Sequence, residues 1–281
     1  NQLQPLSNND ALKAARLELE NKINQTVQTD GMTQQSVDAY QNAKREAQNE
    51  SNTALALINN GDATEQQITT ETDRVNQQTT NLTQAINGLT VNKEPLETAK
   101  TALQNNIDQV PSTDGMTQQS VANYNQKLQI AKNEINTINN VLANNPDVNA
   151  IRTNKAEAER ISNDLTQAKN NLQVDTQPLE KIKRQLQDEI DQGTNTDGMT
   201  QDSVDNYNDS LSAAIIEKGK VNKLLKRNPT VAQVKESVAN AQQVIQDLQN
   251  ARNSLVPDKT QLQEAKNRLE NSINQQTDTD G

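Results

Sequence analysis

Thr113-Asp114-Gly115-Met116-Thr117 decides the fold, because the same five residues stand at 29–33 and at 196–200 and begin again at Thr279-Asp280-Gly281. The glycines Gly31, Gly115, Gly198 and Gly281 are 84, 83 and 83 residues apart. A fixed period of this kind marks a tandem array, in which each repeat is one structural unit. Every full copy leads into Ser-Val-x-x-Tyr: Ser36, Val37 and Tyr40; Ser120, Val121 and Tyr124; Ser203, Val204 and Tyr207. These are the chain's three tyrosines, one per repeat.

Upstream of each turn lies a short apolar stripe. It reads Leu12, Ala15, Leu19, Ile23; then Leu96, Ala99, Leu103, Ile107; then Leu179, Ile182, Leu186, Ile190; and finally Leu262, Ala265, Leu269, Ile273. Spacings of three, four and four place these side chains on one face of an α-helix, helix A. Pro95 and Pro178 precede the first leucine, where a helix needs no amide hydrogen. Downstream, Val121, Tyr124, Leu128, Ala131, Ile135, Ile138 and Leu142 alternate by three and four, a heptad-like seam that predicts a longer helix B. The third repeat keeps this seam but has Lys218 in place of Ile135, and the first has Lys44 and Ser51 on it.

Helix B is expected to close at Asn59-Asn60-Gly61, Asn144-Asn145-Pro146 and Asn228-Pro229, since Asn and Gly accept the left-handed conformation. Helix C follows with Ile151, Ala158, Ile161, Leu165, Ala168 and Leu172, matched by Val234 through Leu255 in the third repeat. In the first repeat Gln78 interrupts this set. The first repeat should therefore have the poorest core. No segment alternates like a strand.

The pattern predicts an all-α fold: tandem three-helix bundles with left-handed, coiled-coil-like packing, in an elongated rod. The predicted boundaries are 1–8 for the tail of a preceding repeat, 9–92, 93–175 and 176–258 for three modules, and 259–281 for the first helix of a fourth. The tail reading rests on Leu6 and Ser7 matching Val256 and Pro257. The period leaves open whether the compact unit is A-B-C or B-C-A. An odd number of antiparallel helices puts the two ends of a module far apart. A helix of about 26 residues spans roughly 40 Å, so three modules should extend over a length on the order of 120 Å. A chain that starts and stops inside a repeat also reads as a segment of something longer.

The turn itself reads as folding punctuation. With Thr33 as N-cap of helix B, Met32 precedes the cap and Val37 is the fourth helical residue, the arrangement of a hydrophobic staple. Met116 with Val121 and Met199 with Val204 repeat it, and Tyr40, Tyr124 and Tyr207 fall on the core side one turn later.

Composition excludes most chemistry. The chain has 27 basic and 37 acidic residues, and no basic block that would hold nucleic-acid phosphates or anionic lipid. No apolar run is long enough to span a bilayer. Cys, His, Trp and Phe are absent, and roughly a quarter of the residues are Asn or Gln. Without Cys or His there is no histidine-based triad and no soft or imidazole metal ligand. The carboxylates fall on polar faces, and no catalytic pair is expected. Asn195-Thr196-Asp197-Gly198 has a calcium-like ring, but an EF-hand needs an earlier Asp and a closing Glu where Gly193 and Val204 stand. No cofactor, metal or catalytic residue is expected.

The order of a short helix, a Thr-x-x-Ser turn and two longer helices resembles the FIVAR module. The family's Tyr-Thr-x-x-Ser-Trp becomes Met-Thr-Gln-Gln-Ser-Val at 32–37 and 116–121, and Met-Thr-Gln-Asp-Ser-Val at 199–204. The aromatic positions hold Met and Val, implying a smaller aromatic core. The Asn- and Gln-rich wording, and strings such as Val141-Leu142-Ala143-Asn144-Asn145-Pro146, are similar to the repeats of giant wall-associated surface proteins of staphylococci. The resemblance implies a location at the bacterial cell surface and anchoring outside this segment. It also implies a host matrix protein, fibronectin, as partner, a role in envelope integrity and a monomeric rod without direct membrane contact. The family motif specifies no ligand-contact residue. The alternative is a purely structural helical spacer or scaffold with no host ligand.

Overall fold

The computed structural model describes residues 8–276. Residues 1–7 of the expected tail at 1–8, and the fourth Thr-Asp-Gly at 279–281, lie outside the described residues. The described chain forms ten helices: α1 (Asp10–Ile23), α2 (Gln34–Ile58), α3 (Glu65–Asn87), α4 (Glu94–Asp108), α5 (Gln118–Ala143), α6 (Val148–Asn170), α7 (Gln177–Gln192), α8 (Gln201–Leu225), α9 (Val231–Asn253) and α10 (Thr260–Gln276). They follow the order A, B, C three times and then A once more.

Local chemistry explains the helix ends. Thr33 takes an extended conformation before α2 and its side chain accepts a hydrogen bond from the Ser36 amide. Thr64 and Thr230 form full capping boxes with Gln67 and Gln233 at the starts of α3 and α9. In these boxes the side chains satisfy amides that a helix start leaves without partners. Pro95 and Pro178 stand in the first turns of α4 and α7. The left-handed closure of helix B occurs once, at Asn145 with φ 47°. The ends of α2 and α8 correct that expectation, because Asn59 and Lys226 cap them in the right-handed region. There the cap amide still reaches a carbonyl of the last turn, so no reversal of φ is needed.

The chain divides into two compact units, Asn1–Val110 with Gln126–Gln167, and Pro111–Asn125 with Ala168–Gly281. In the first, α1, α2 and α3 pack against one another around Leu12, Leu19, Tyr40, Ala47, Val75 and Leu82. In the second, α7, α8 and α9 do the same around Leu179, Leu186, Tyr207, Ala214, Val221 and Leu248. Leu96, Ala99, Leu103 and Ile107 of α4 are buried in the same register. The matching face of α10 is exposed at Leu262, Leu269 and Ile273.

Among the described residues no strand forms, yet three isolated antiparallel bridges do, at Met32–Val91, Met116–Val174 and Met199–Pro257. The sequence held no sign of them, because one residue pair leaves no alternating pattern.

Candidate functional site

The repeated turn is the most regular feature of the molecule, and each copy is clasped to the segment that leaves helix C. In the first repeat Thr33 donates its amide to the Thr90 carbonyl at 2.7 Å, and Asn92 donates to the Gly31 carbonyl at 2.9 Å. The second repeat uses Thr117 to Gln173 (2.7 Å) and Asp175 to Gly115 (2.8 Å). The third uses Thr200 to Val256 (2.7 Å) and Asp258 to Gly198 (2.8 Å).

The serine of Thr-x-x-Ser is the third point of the clasp. Ser36 Oγ donates to the Thr33 carbonyl at 2.9 Å and accepts the Thr90 amide at 3.2 Å. Ser120 and Ser203 repeat this, accepting from Gln173 and Val256 at 3.2 Å. One hydroxyl therefore ties the start of helix B to a residue more than fifty positions later. The turn demands glycine, with φ at 80° for Gly31 and 72° for Gly115 and Gly198. Left-handed backbone costs most residues with a Cβ far more than it costs glycine, Asn and Asp being the mild exceptions.

The tyrosines belong to the core: Tyr40, Tyr124 and Tyr207 are all buried. Burial raises the Tyr124 hydroxyl above its ordinary pKa. Met32, Met116, Met199, Val37, Val121 and Val204 are half-buried around the clasp. Each methionine backbone makes the bridge, which places it beside the residue leaving helix C. We propose that its side chain also staples to the valine.

One expectation needs correction: not all carboxylates keep to polar faces. Glu71, Glu134, Glu189 and Glu217 are buried. Helix B turns Glu134 inward and leaves its neighbour Ile135 half-buried, so the seam runs one residue off the expected line at that level. Burial, and then the neighbouring Glu50 carboxylate, push Glu71 above the usual carboxyl range. Burial, and then Glu157, do the same to Glu134. On the surface, Lys127 and Arg160 hold Asp164 below its ordinary value, with contacts of 3.0 Å from each.

Among the described residues there is no group of three or more acidic, His or Cys side chains that could hold a metal ion. Neither is any helix long and apolar enough to cross a membrane. An open groove of 590 Å³ between α2 and α3 is lined by Thr53, Leu57, Gln67, Thr70, Glu71 and Arg74. It offers polar side chains and no aromatic wall.

Comparison with known proteins agrees with the repeat count. The FIVAR domain profile matches residues 15–90, 99–173 and 182–249. The chain is 51% identical over all 281 residues to extracellular matrix-binding protein EbhB of Staphylococcus aureus strain Newman, of which it covers 4%. It is equally similar to extracellular matrix-binding protein ebh of strain NCTC 8325 / PS 47, covering 3%, and to EbhB of strain N315, covering 7%. The chain thus spans a small fraction of the relatives it matches. No solved structure matches it. Three family matches that each bracket a Thr-Asp-Gly turn, over most of the sequence, make this chain a member of the FIVAR domain family.

Proposed function

We propose that this chain is a repeat segment of a bacterial cell-surface adhesin that binds a host matrix protein, fibronectin, weakly and multivalently, and that it contributes to envelope integrity. The observation that carries the reading is its full-length similarity to proteins named for matrix binding. What the surface offers sets the manner of binding. Hot spots are usually built from Trp, Tyr and Arg, and here Trp is absent and all three tyrosines are buried. No single repeat therefore has the makings of a tight site. Repetition supplies what chemistry lacks, because a second contact by the same chain is intramolecular and gains from effective concentration. A net charge of −10 also discourages indiscriminate adhesion to anionic surfaces.

The test is retention of the full chain on fibronectin immobilised at graded density. Multivalent binding predicts barely detectable retention on sparse layers and a steep rise on dense ones. Equal affinity at all densities would defeat the avidity mechanism. No binding at any density would favour the second reading, a structural spacer, which the burial of every aromatic side chain supports.

A further inference from the structure

The Thr-Asp-Gly turn has an outer face that the clasp does not use, and in two repeats the following repeat covers it. Gly31 faces Val148, the first residue of α6, and a Cβ on Gly31 would overlap Val148 Cγ1. One turn further along α6, Arg152 pairs with the Asp30 carboxylate. The second turn repeats the arrangement with different residues. Gly115 faces Val231, the first residue of α9, and a Cβ there would lie 2.5 Å from Val231 Cγ1. Lys235, again four residues on, donates to Asp114 at 2.7 Å and holds that carboxyl below its usual range. Beside this contact Pro178, Val234, Val238 and Ala239 line a further 260 Å³ of mostly apolar hollow.

The third turn has the same backbone, with φ 72° at Gly198, but nothing lies within 4 Å of where its Cβ would be. Asp197 makes no ion pair among the described residues. At the start of α3, the positions equivalent to the valine and the cation are Glu65 and Thr69.

We propose that Asp-Gly in each repeat is the socket of a repeat-to-repeat joint, and that its partner is the first turn of a helix C carrying valine at its first residue and a cation four residues later. Asp197-Gly198 is then a socket for a repeat of that code, and it discriminates against one that begins like α3. The absent Cβ lets a branched side chain sit directly on the turn, which sets the distance. The aspartate selects the sign of charge. An exposed ion pair adds little energy, but an acid in place of the valine would face Asp across the joint, and such repulsion is how interfaces reject wrong partners. Glycine therefore serves two purposes here: the conformation of the turn and the closeness of the neighbour.

The two purposes separate experimentally, because Gly115 and Gly198 share the same φ and differ in having a neighbour. The chain lacks cysteine, so Asn123→Cys with Gln246→Cys, both at exposed positions, carry a unique pair of spin labels. Distances are measured by pulsed electron resonance in the full chain, with circular dichroism confirming helicity. A single narrow distance is expected in the parent, retained in Gly198→Ala and lost in Gly115→Ala. Val231→Glu with Lys235→Thr, which installs the residues of α3, should lose it as well while leaving the turn untouched. Indistinguishable distributions for the two alanine variants would overturn the joint. So would an unchanged distribution in the double variant, which holds even if Gly115→Ala unfolds its own repeat.

Discussion

The first and third repeats bury the same apolar ladder but stitch it with different polar threads. In the first, Arg16 pairs with Glu20, Ser51 donates to that carboxylate at 3.2 Å, and Arg16 Nε donates to the Ser51 carbonyl at 3.0 Å. In the third, the equivalents of Glu20 and Ser51 are Gln187 and Lys218, and Lys218 donates to Gln187. The second repeat has Gln104 and Ile135 there, and Gln104 turns to Asp108 on its own helix at 2.8 Å. Ser51 and Lys218, which look like flaws in the seam, thus each have a partner on helix A chosen to match. The third repeat adds a lock of its own. Glu189 meets Arg252 at 2.5 Å and Gln249 at 2.8 Å, joining helix A to helix C. The second repeat uses the neutral Asn106 with Ser162 and Thr166 at that place. A polar substitution inside a bundle is tolerated when its partner changes with it, because the cost lies in leaving one group unpaired.

That comparison breaks most sharply at its two charged threads. Arg252→Ala should destabilise the third repeat by about 3 kcal/mol, since it strands a buried carboxylate. Arg16→Ala, in a more open pair, should cost the first repeat about 1 kcal/mol. Urea melts combined with hydrogen exchange resolve the two, and equal losses would show that the threads are equivalent.

What the repeats share should respond alike. Met32→Asp and Met199→Asp put a charge into the same clasp, and each should cost its repeat about 2 kcal/mol. Gln118→Asp, at an exposed position beside a third copy of the clasp, serves as the near-neutral control. Markedly unequal thermal shifts for the two methionine variants would mean that the clasp is not the common element it resembles.

A smaller effect belongs to the first repeat alone, because Glu71 has Ser237 as its counterpart in the third. Its carboxyl is raised by burial and by Glu50, so the folded chain holds the proton more tightly than the unfolded one. The resulting stability is complete below the ordinary carboxyl pKa and is lost as pH rises through the raised value. Glu71→Gln should therefore stabilise the first repeat at neutral pH by about 1 kcal/mol and do nothing near pH 4. A gain that persists in acid would refute the titration argument.

The finest test is the order of opening. Gln78 is half-buried with its side-chain oxygen unpartnered, where the second and third repeats have Ile161 and Val244. Exchange should find residues 9–92 the least protected of the three repeats by a modest margin. Gln78→Ile should narrow that margin by roughly 1 kcal/mol or less. If 9–92 proves the best protected, the added threads of the first repeat outweigh its polar seam.

By itself the sequence determined the period, the helices and the apolar face of each, because spacings of three and four are written locally along the chain. It also determined that glycine must sit in the turn and that threonine must cap helix B. Three matters were decided only in three dimensions. The clasp at Met32–Val91 joins single residues more than fifty positions apart and leaves no periodic trace. The inward turn of Glu134 in place of Ile135 depends on how helix B rolls against its neighbours, a rotation of less than a third of a turn that no one-dimensional pattern records. The meeting of Gly115 with Val231 depends on the repeat that follows. Local spacing encodes which face of a helix is apolar, but which residue of another repeat comes to rest on that face is encoded only by the packing of the whole.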